Sequence, residues 1–107
     1  MAAALAQARL AASQDEVPIG AVMMRGETII AEAHNETVAR RNPTLHAEML
    51  AIERALDALD TDRLTDCTLY VTIEPCALCA GAIVLAKVGK LVFGAYDEKA
   101  GMCGSLG

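Results

Sequence analysis

Two short stretches carry residue types that can hold a metal and move protons. Residues 45–50 read Leu-His-Ala-Glu-Met-Leu, with His46 and Glu48 two apart; residues 74–79 read Glu-Pro-Cys-Ala-Leu-Cys, with Cys76 and Cys79 three apart. Side chains at i and i+3 of a helix share a face, so both cysteines can reach one ion from a first helical turn. Thiolates there sit at the positive end of the helix dipole, which lowers their pKa and favours metal binding. His46 is expected in the first turn of its own helix. If both helix starts lie at one edge of a sheet, one imidazole and two thiolates converge, a donor set suited to tetrahedral Zn²⁺.

Taken singly, each motif has a plainer reading. A lone Cys-x-x-Cys also suits a redox dithiol, and His-x-Glu often occurs by chance. Together, at two predicted helix N-termini about 30 residues apart, they are far more specific. A structural zinc site closes its shell with four protein ligands, whereas three ligands and an open position describe a catalytic one. The remaining candidates, Cys67, Cys103 and His34, lie outside the two motifs. Glu48 keeps two roles open. It can be a fourth ligand, or it can stand beside the open position and pass a proton from activated water to a leaving group. Side chains two apart on a helix diverge by roughly 200°, so its reach depends on the fold.

The elements that must position these residues follow from periodicity and turn chemistry. Residues 3–14 read as an amphipathic helix, and residues 17–24 and 27–35 as two strands joined at Arg25-Gly26 in a hairpin-like turn. In the second strand Ile29, Ala31 and Ala33 form a mostly apolar face opposite Ile30, Glu32 and His34. A polar loop, 36–43, leads to a helix over 45–59, with Thr44 as its cap and Leu45, Met49, Ile52, Leu56 and Leu59 at helical spacing. Residues 68–72 read as a short buried strand, 76–88 as a helix opened by Pro75, and 90–95 as another strand. Strand, helix, strand is a crossover, so those two strands should be parallel neighbours. The 76–88 helix is apolar nearly all round, which predicts burial on two sides, one on the sheet and one against a partner subunit. The last residues, with glycines from Gly101 on, read as loop. The whole is a small three-layer α/β sandwich.

Size and composition agree. A chain of 107 residues is one domain, and 54% apolar residues with two Tyr, one Phe and no Trp require an aliphatic core. Disorder is excluded, and no apolar run reaches the roughly 18 residues that a membrane helix needs. The Ala-rich start lacks a basic segment and is interrupted by Arg9, so it reads as helix and not as an export signal. A reducing cytosol is then the expected compartment, where cysteines bind metal more often than they form disulfides. Nine basic against fourteen acidic residues give −5, which by itself speaks against nucleic acid.

"HAEM" and "EPCALC" resemble the His-x-Glu and Pro-Cys-x-x-Cys signature of the zinc-dependent cytidine and nucleobase deaminases. "EVPIGAV", His34-Asn35, "NPTLHAEM", "LTDCTLYVTIEPCALCAGAI", "VFGAYDEKAG" and "GSL" look like the bacterial tRNA-specific adenosine deaminases, over nearly the whole chain and in family order. The resemblance implies a three-layer α/β/α sandwich of the cytidine deaminase type with a mixed sheet. It implies one zinc per subunit on His46, Cys76 and Cys79, with Glu48 as proton shuttle while zinc-bound hydroxide attacks C6 of adenosine. The product would be inosine at the wobble position of a tRNA anticodon loop, made by a cytoplasmic homodimer. Asn35, the backbone of Ala47 and the Glu74-Pro75 segment would contact the base and its departing amino group. Val17 to Gly20 would wall the pocket, and Asp97 and Lys99 would line the RNA path. Plainer roles stand beside these: a turn residue for Asn35, and an exposed loop pair for Asp97 and Lys99.

Members of that family continue with another strand and a C-terminal helix, often basic. This chain is expected to lack both, leaving a sheet edge and apolar surface uncovered. Arg40, Arg41 and Lys99 supply local basic charge near the predicted site, which the resemblance weighs above the overall −5. Three rivals remain: a deaminase of free guanine or cytosine or their nucleosides, a non-catalytic zinc-binding module, and a dithiol redox protein.

Overall fold

Gly26 sits at the turn of the predicted hairpin with φ 61°, a conformation that L side chains avoid and glycine takes freely. It joins β1 (Gly20–Arg25) to β2 (Thr28–His34), which pair antiparallel. The computed structural model describes residues 1–94, so the expectations for Asp97, Lys99 and Cys103 lie outside the described residues. Ahead of the hairpin lies α1 (Ala2–Ser13); after it come α2 (Ala47–Leu59), β3 (Thr68–Val71), α3 (Ala77–Leu85) and β4 (Lys90–Phe93). The sheet order is β2-β1-β3-β4, with β3 and β4 parallel as the crossover predicted and β1 antiparallel to both neighbours. No helix among the described residues is long and apolar enough to cross a membrane.

Alternation along β1 divides the molecule into layers. Ala21 and Met23 join the main core with Ala47, Leu50, Ala51 and Ala55 of α2 and with Ile83 near the end of α3. Gly20 turns the other way, where a Cβ would collide with the Ala4 carbonyl and the Ala8 nitrogen of α1. The buried side of α1 is Ala4, Ala8 and Ala11, small enough for that close approach. Hence α1 covers one face of the sheet and α2 with α3 the other, which is the predicted sandwich.

Two expectations need correction. The register shifts between Met23 and Met24, so Met23 opposes Ala31 while Met24 opposes Ile29. Ile30 is the extra residue of this bulge and packs on the core, leaving Ile29 45% exposed. On α2 the buried residues are Ala47, Glu48, Leu50, Ala51, Ile52 and Ala55, so of the predicted apolar positions Ile52 is buried while Leu45, Met49, Leu56 and Leu59 are half-buried at the rim. On α3 only Cys79 and Ile83 are buried; Leu78, Val84 and Leu85 are 46%, 72% and 82% exposed. Within this chain that helix is covered on the sheet side, and the other side, expected against a partner subunit, is exposed.

Candidate active site

The two motifs meet because each begins a helix on the same face of the sheet. His46 is the N-cap of α2, with φ −73° and ψ 152°, and Cys76 is the N-cap of α3, with φ −73° and ψ 177°. Both were expected inside the first helical turn, with Thr44 as the cap of α2. Thr44 instead bonds to the Asn42 side chain in the preceding turn, its hydroxyl at 2.7 Å. Extended backbone at an N-cap lets a side chain reach across the helix end, where the first amides have no partner in the helix. Neither N-cap side chain caps its own helix, so the imidazole and the thiol are free for other partners.

Across that junction His46 Nδ1 lies 3.3 Å from Cys79 Sγ and 3.5 Å from Cys76 Sγ. All three donor atoms fall within 4.8 Å of one another. Four-coordinate zinc, with bonds of about 2.0 Å to nitrogen and 2.3 Å to sulfur, separates its N and S ligands by roughly 3.5 Å. The residues therefore fit a zinc ion. Electrostatics points the same way. Burial, then the nearby Glu48 and Cys76, push the Cys79 thiol far above its ordinary pKa, so it becomes a thiolate only beside a strong positive charge.

Glu48 does not point away from this group. It is 3% exposed, its carboxylate reaches the Cys79 thiol, and its Oε1 is buried without a hydrogen-bond partner among the described residues. Its pKa is raised, mainly by burial; its own backbone N–H, the His46 charge and Cys79 pull the other way. Glu48 stands outside the cluster of three donors, so it is placed beside them and not among them.

A cavity of about 350 Å³ opens over His46, Glu48 and Cys76. Val17, Ile19, Pro43 and Ile73 give it apolar walls, while Asn35, Thr37 and Glu74 add polar ones. Such a space, mostly apolar with a few polar groups, suits a flat heterocycle. Glu74 and Pro75, expected at the ligand, are almost fully buried beside it. Asn35 is 4% exposed, and its Oδ1 accepts the Ala47 N–H at 2.8 Å. That bond occupies the amide of Ala47, which therefore orients Asn35 and leaves the Asn35 NH₂ as the donor for a ligand. Asn35→Ala should cost about 1–3 kcal/mol in urea unfolding, because it strands a buried N–H beside the metal ligands.

Residue-by-residue reading missed Glu16. It stands between the predicted first helix and first strand and belongs to no motif, yet it is 5% exposed and accepts two backbone amides at positions 38 and 39. The only available hint was an acidic residue next to an apolar strand. Cys67 is a buried core residue, as expected, and burial pushes its thiol up.

Comparison with known proteins agrees with this geometry. Residues 1–105 match the MafB19-like deaminase family. The tRNA-specific adenosine deaminase of Bacillus subtilis (strain 168) is 51% identical over 106 residues, covering 99% of this chain and 66% of that protein. A structure solved in studies of A-to-I editing by tRNA:A34 deaminases superposes with a TM-score of 0.91 at 46% identity, over 94% of this chain and 73% of that one. Guanine deaminase from Bacillus subtilis gives 0.84 at 36%, over 87% and 60%. The chain thus spans about two thirds of the curated relative's length.

Proposed function

The chain belongs to the MafB19-like deaminase family, and from that premise we propose that it hydrolyses adenosine to inosine at the wobble position of a tRNA anticodon loop. The observation that carries the reading is a buried, unpartnered carboxylate oxygen on Glu48 next to one imidazole and two thiols at hydrogen-bond spacing. Zinc held by His46, Cys76 and Cys79 would supply Lewis acidity, lowering the pKa of a water molecule in the pocket. Glu48 accepts that water's proton. It delivers that proton to the ring nitrogen, then takes the second proton from the oxygen added to C6 and passes it to the amino group, so that the C6–N bond breaks and ammonia leaves. A carboxylate whose pKa is raised by burial suits both halves of this transfer.

The remaining residues hold the base. The Asn35 NH₂ offers a donor, Glu74 and Pro75 border the amino-group side, and Val17, Ile19 and Ile73 enclose the ring. A base in an anticodon loop is already single-stranded, so turning it into the pocket costs little. The proposed assembly is a cytoplasmic homodimer, in which a second subunit would cover the apolar side of α3 around Leu78, Val84 and Leu85.

Likeness to a guanine deaminase and the charge of −5 favour a second reading, deamination of a free base. Incubating the zinc-loaded protein with an anticodon stem-loop and, separately, with guanine, cytosine and adenosine separates the two. Inosine in the RNA is expected. Ammonia from guanine with none from the stem-loop would replace this reading by the second.

A further inference from the structure

Glu16 is a carboxylate that the reaction does not use. Its Oε1 accepts the Val38 N–H at 3.0 Å and its Oε2 the Ala39 N–H at 2.7 Å. These amides open a short helical turn in which Arg40 N–H bonds to the Glu36 carbonyl, Arg41 N–H to that of Val38 and Asn42 N–H to that of Thr37. A carboxylate at that place does the work of an N-cap, supplied by a residue 22 positions away. The Val38 amide, together with Ala39, the His34 imidazole and Thr37, holds its pKa below the usual range despite burial.

Both segments joined by this clamp reach the cavity. Val17 follows Glu16, Thr37 precedes Val38, and Pro43 lies just past the turn; all three line the pocket. A second tie between the same segments runs from the Asn35 N–H to the Ile19 carbonyl at 3.2 Å. Between Thr37 and Pro43 the turn carries Arg40 and Arg41, both exposed, with Arg41 at φ 48°. A non-glycine residue in that left-handed region is kept there by its surroundings, so the shape of this turn depends on what caps it.

We propose that Glu16 is a positioning residue for the nucleic-acid substrate: by capping the 36–41 turn it sets the pocket mouth and presents Arg40 and Arg41 to backbone phosphates. The proposal rests on the RNA-deaminase reading above. Glutamine at this position keeps one acceptor but turns an NH₂ toward the second amide, so the two-amide clamp fails while the side chain keeps its size.

The test compares the zinc-loaded protein with Glu16→Gln, using Glu16→Asp, which keeps the charge, where the first variant folds poorly. Four quantities are measured: Kd for a fluorescent anticodon stem-loop, kcat for inosine formation, zinc content, and hydrogen exchange at the Val38 and Ala39 amides. Glu16→Gln should speed exchange at both amides and weaken stem-loop binding about tenfold, with zinc unchanged and kcat within about threefold. In an Arg40→Ala, Arg41→Ala background the same substitution should weaken binding by less than about threefold, because the groups that it orients are gone. An unchanged Kd, an equal loss in both backgrounds, or a parallel loss of zinc and kcat would overturn the proposal. A wild-type protein that binds the stem-loop but forms no inosine defeats the deaminase reading alone; one that binds no stem-loop defeats both.

Discussion

Glu48→Gln leaves zinc at one ion per chain and lowers kcat for inosine formation by about 10³-fold or more. Glutamine matches glutamate in shape but cannot take a proton from water or give one to ammonia, and positioned acid–base groups contribute about 10²–10⁴-fold. Zinc survives because Glu48 lies outside the cluster of three donors. Stability moves the opposite way from activity. Burial raises the pKa of Glu48 in the folded metal-free chain, so the ionised carboxylate disfavours folding. That penalty is absent at low pH and grows as pH climbs past the ordinary glutamate value toward the raised one. The glutamine variant of the metal-free chain should therefore melt a few degrees higher at pH 7 and no higher at pH 4. Zinc lost together with activity would make Glu48 a ligand; a variant that still turns over would remove Glu48 from the proton transfer.

Cys79→Ala should abolish stoichiometric zinc binding and with it turnover, and make Tm insensitive to added zinc. In the unsubstituted chain, free zinc at 1,000 times its Kd contributes about 4 kcal/mol of stability. For a domain of this size that is worth about 15 °C or more in Tm, which a chelator should remove. The sign of the pH dependence follows from the ligands. Because Cys79 is a neutral thiol without a cation, zinc uptake must release its proton, and acid must release zinc. Titrating zinc into the metal-free chain in weak buffer at pH 7 should liberate at least the Cys79 proton for each ion bound. A Tm that ignores both chelator and substitution would make the three-donor cluster incidental.

Much of this site was legible because its chemistry is local. Cys76 and Cys79 sit three apart behind Pro75, and His46 and Glu48 open an apolar helical run, so their convergence needed only two helix starts on one side of a sheet. The crossover that places β3 beside β4 follows from chain handedness, and it held. What failed depended on distant partners. Glu16 carries no local signal because the amides that it caps lie in another loop. The bulge at Ile30 changes which isoleucine faces inward without altering composition or period. Of the expected base contacts, Ala47 proved to spend its N–H on Asn35, a competition between two residues that a list of single positions does not reveal.

The atom of His46 that faces both sulfurs is Nδ1. A metal there fixes the tautomer: the remaining proton must reside on Nε2, and the ring can no longer exchange between its two neutral forms. The imidazole then has one free polar group, a donor, on the side away from the ion. Any group that hydrogen-bonds to that edge must accept, as a carbonyl, a carboxylate, a hydroxyl oxygen or a water does and an ammonium or guanidinium does not.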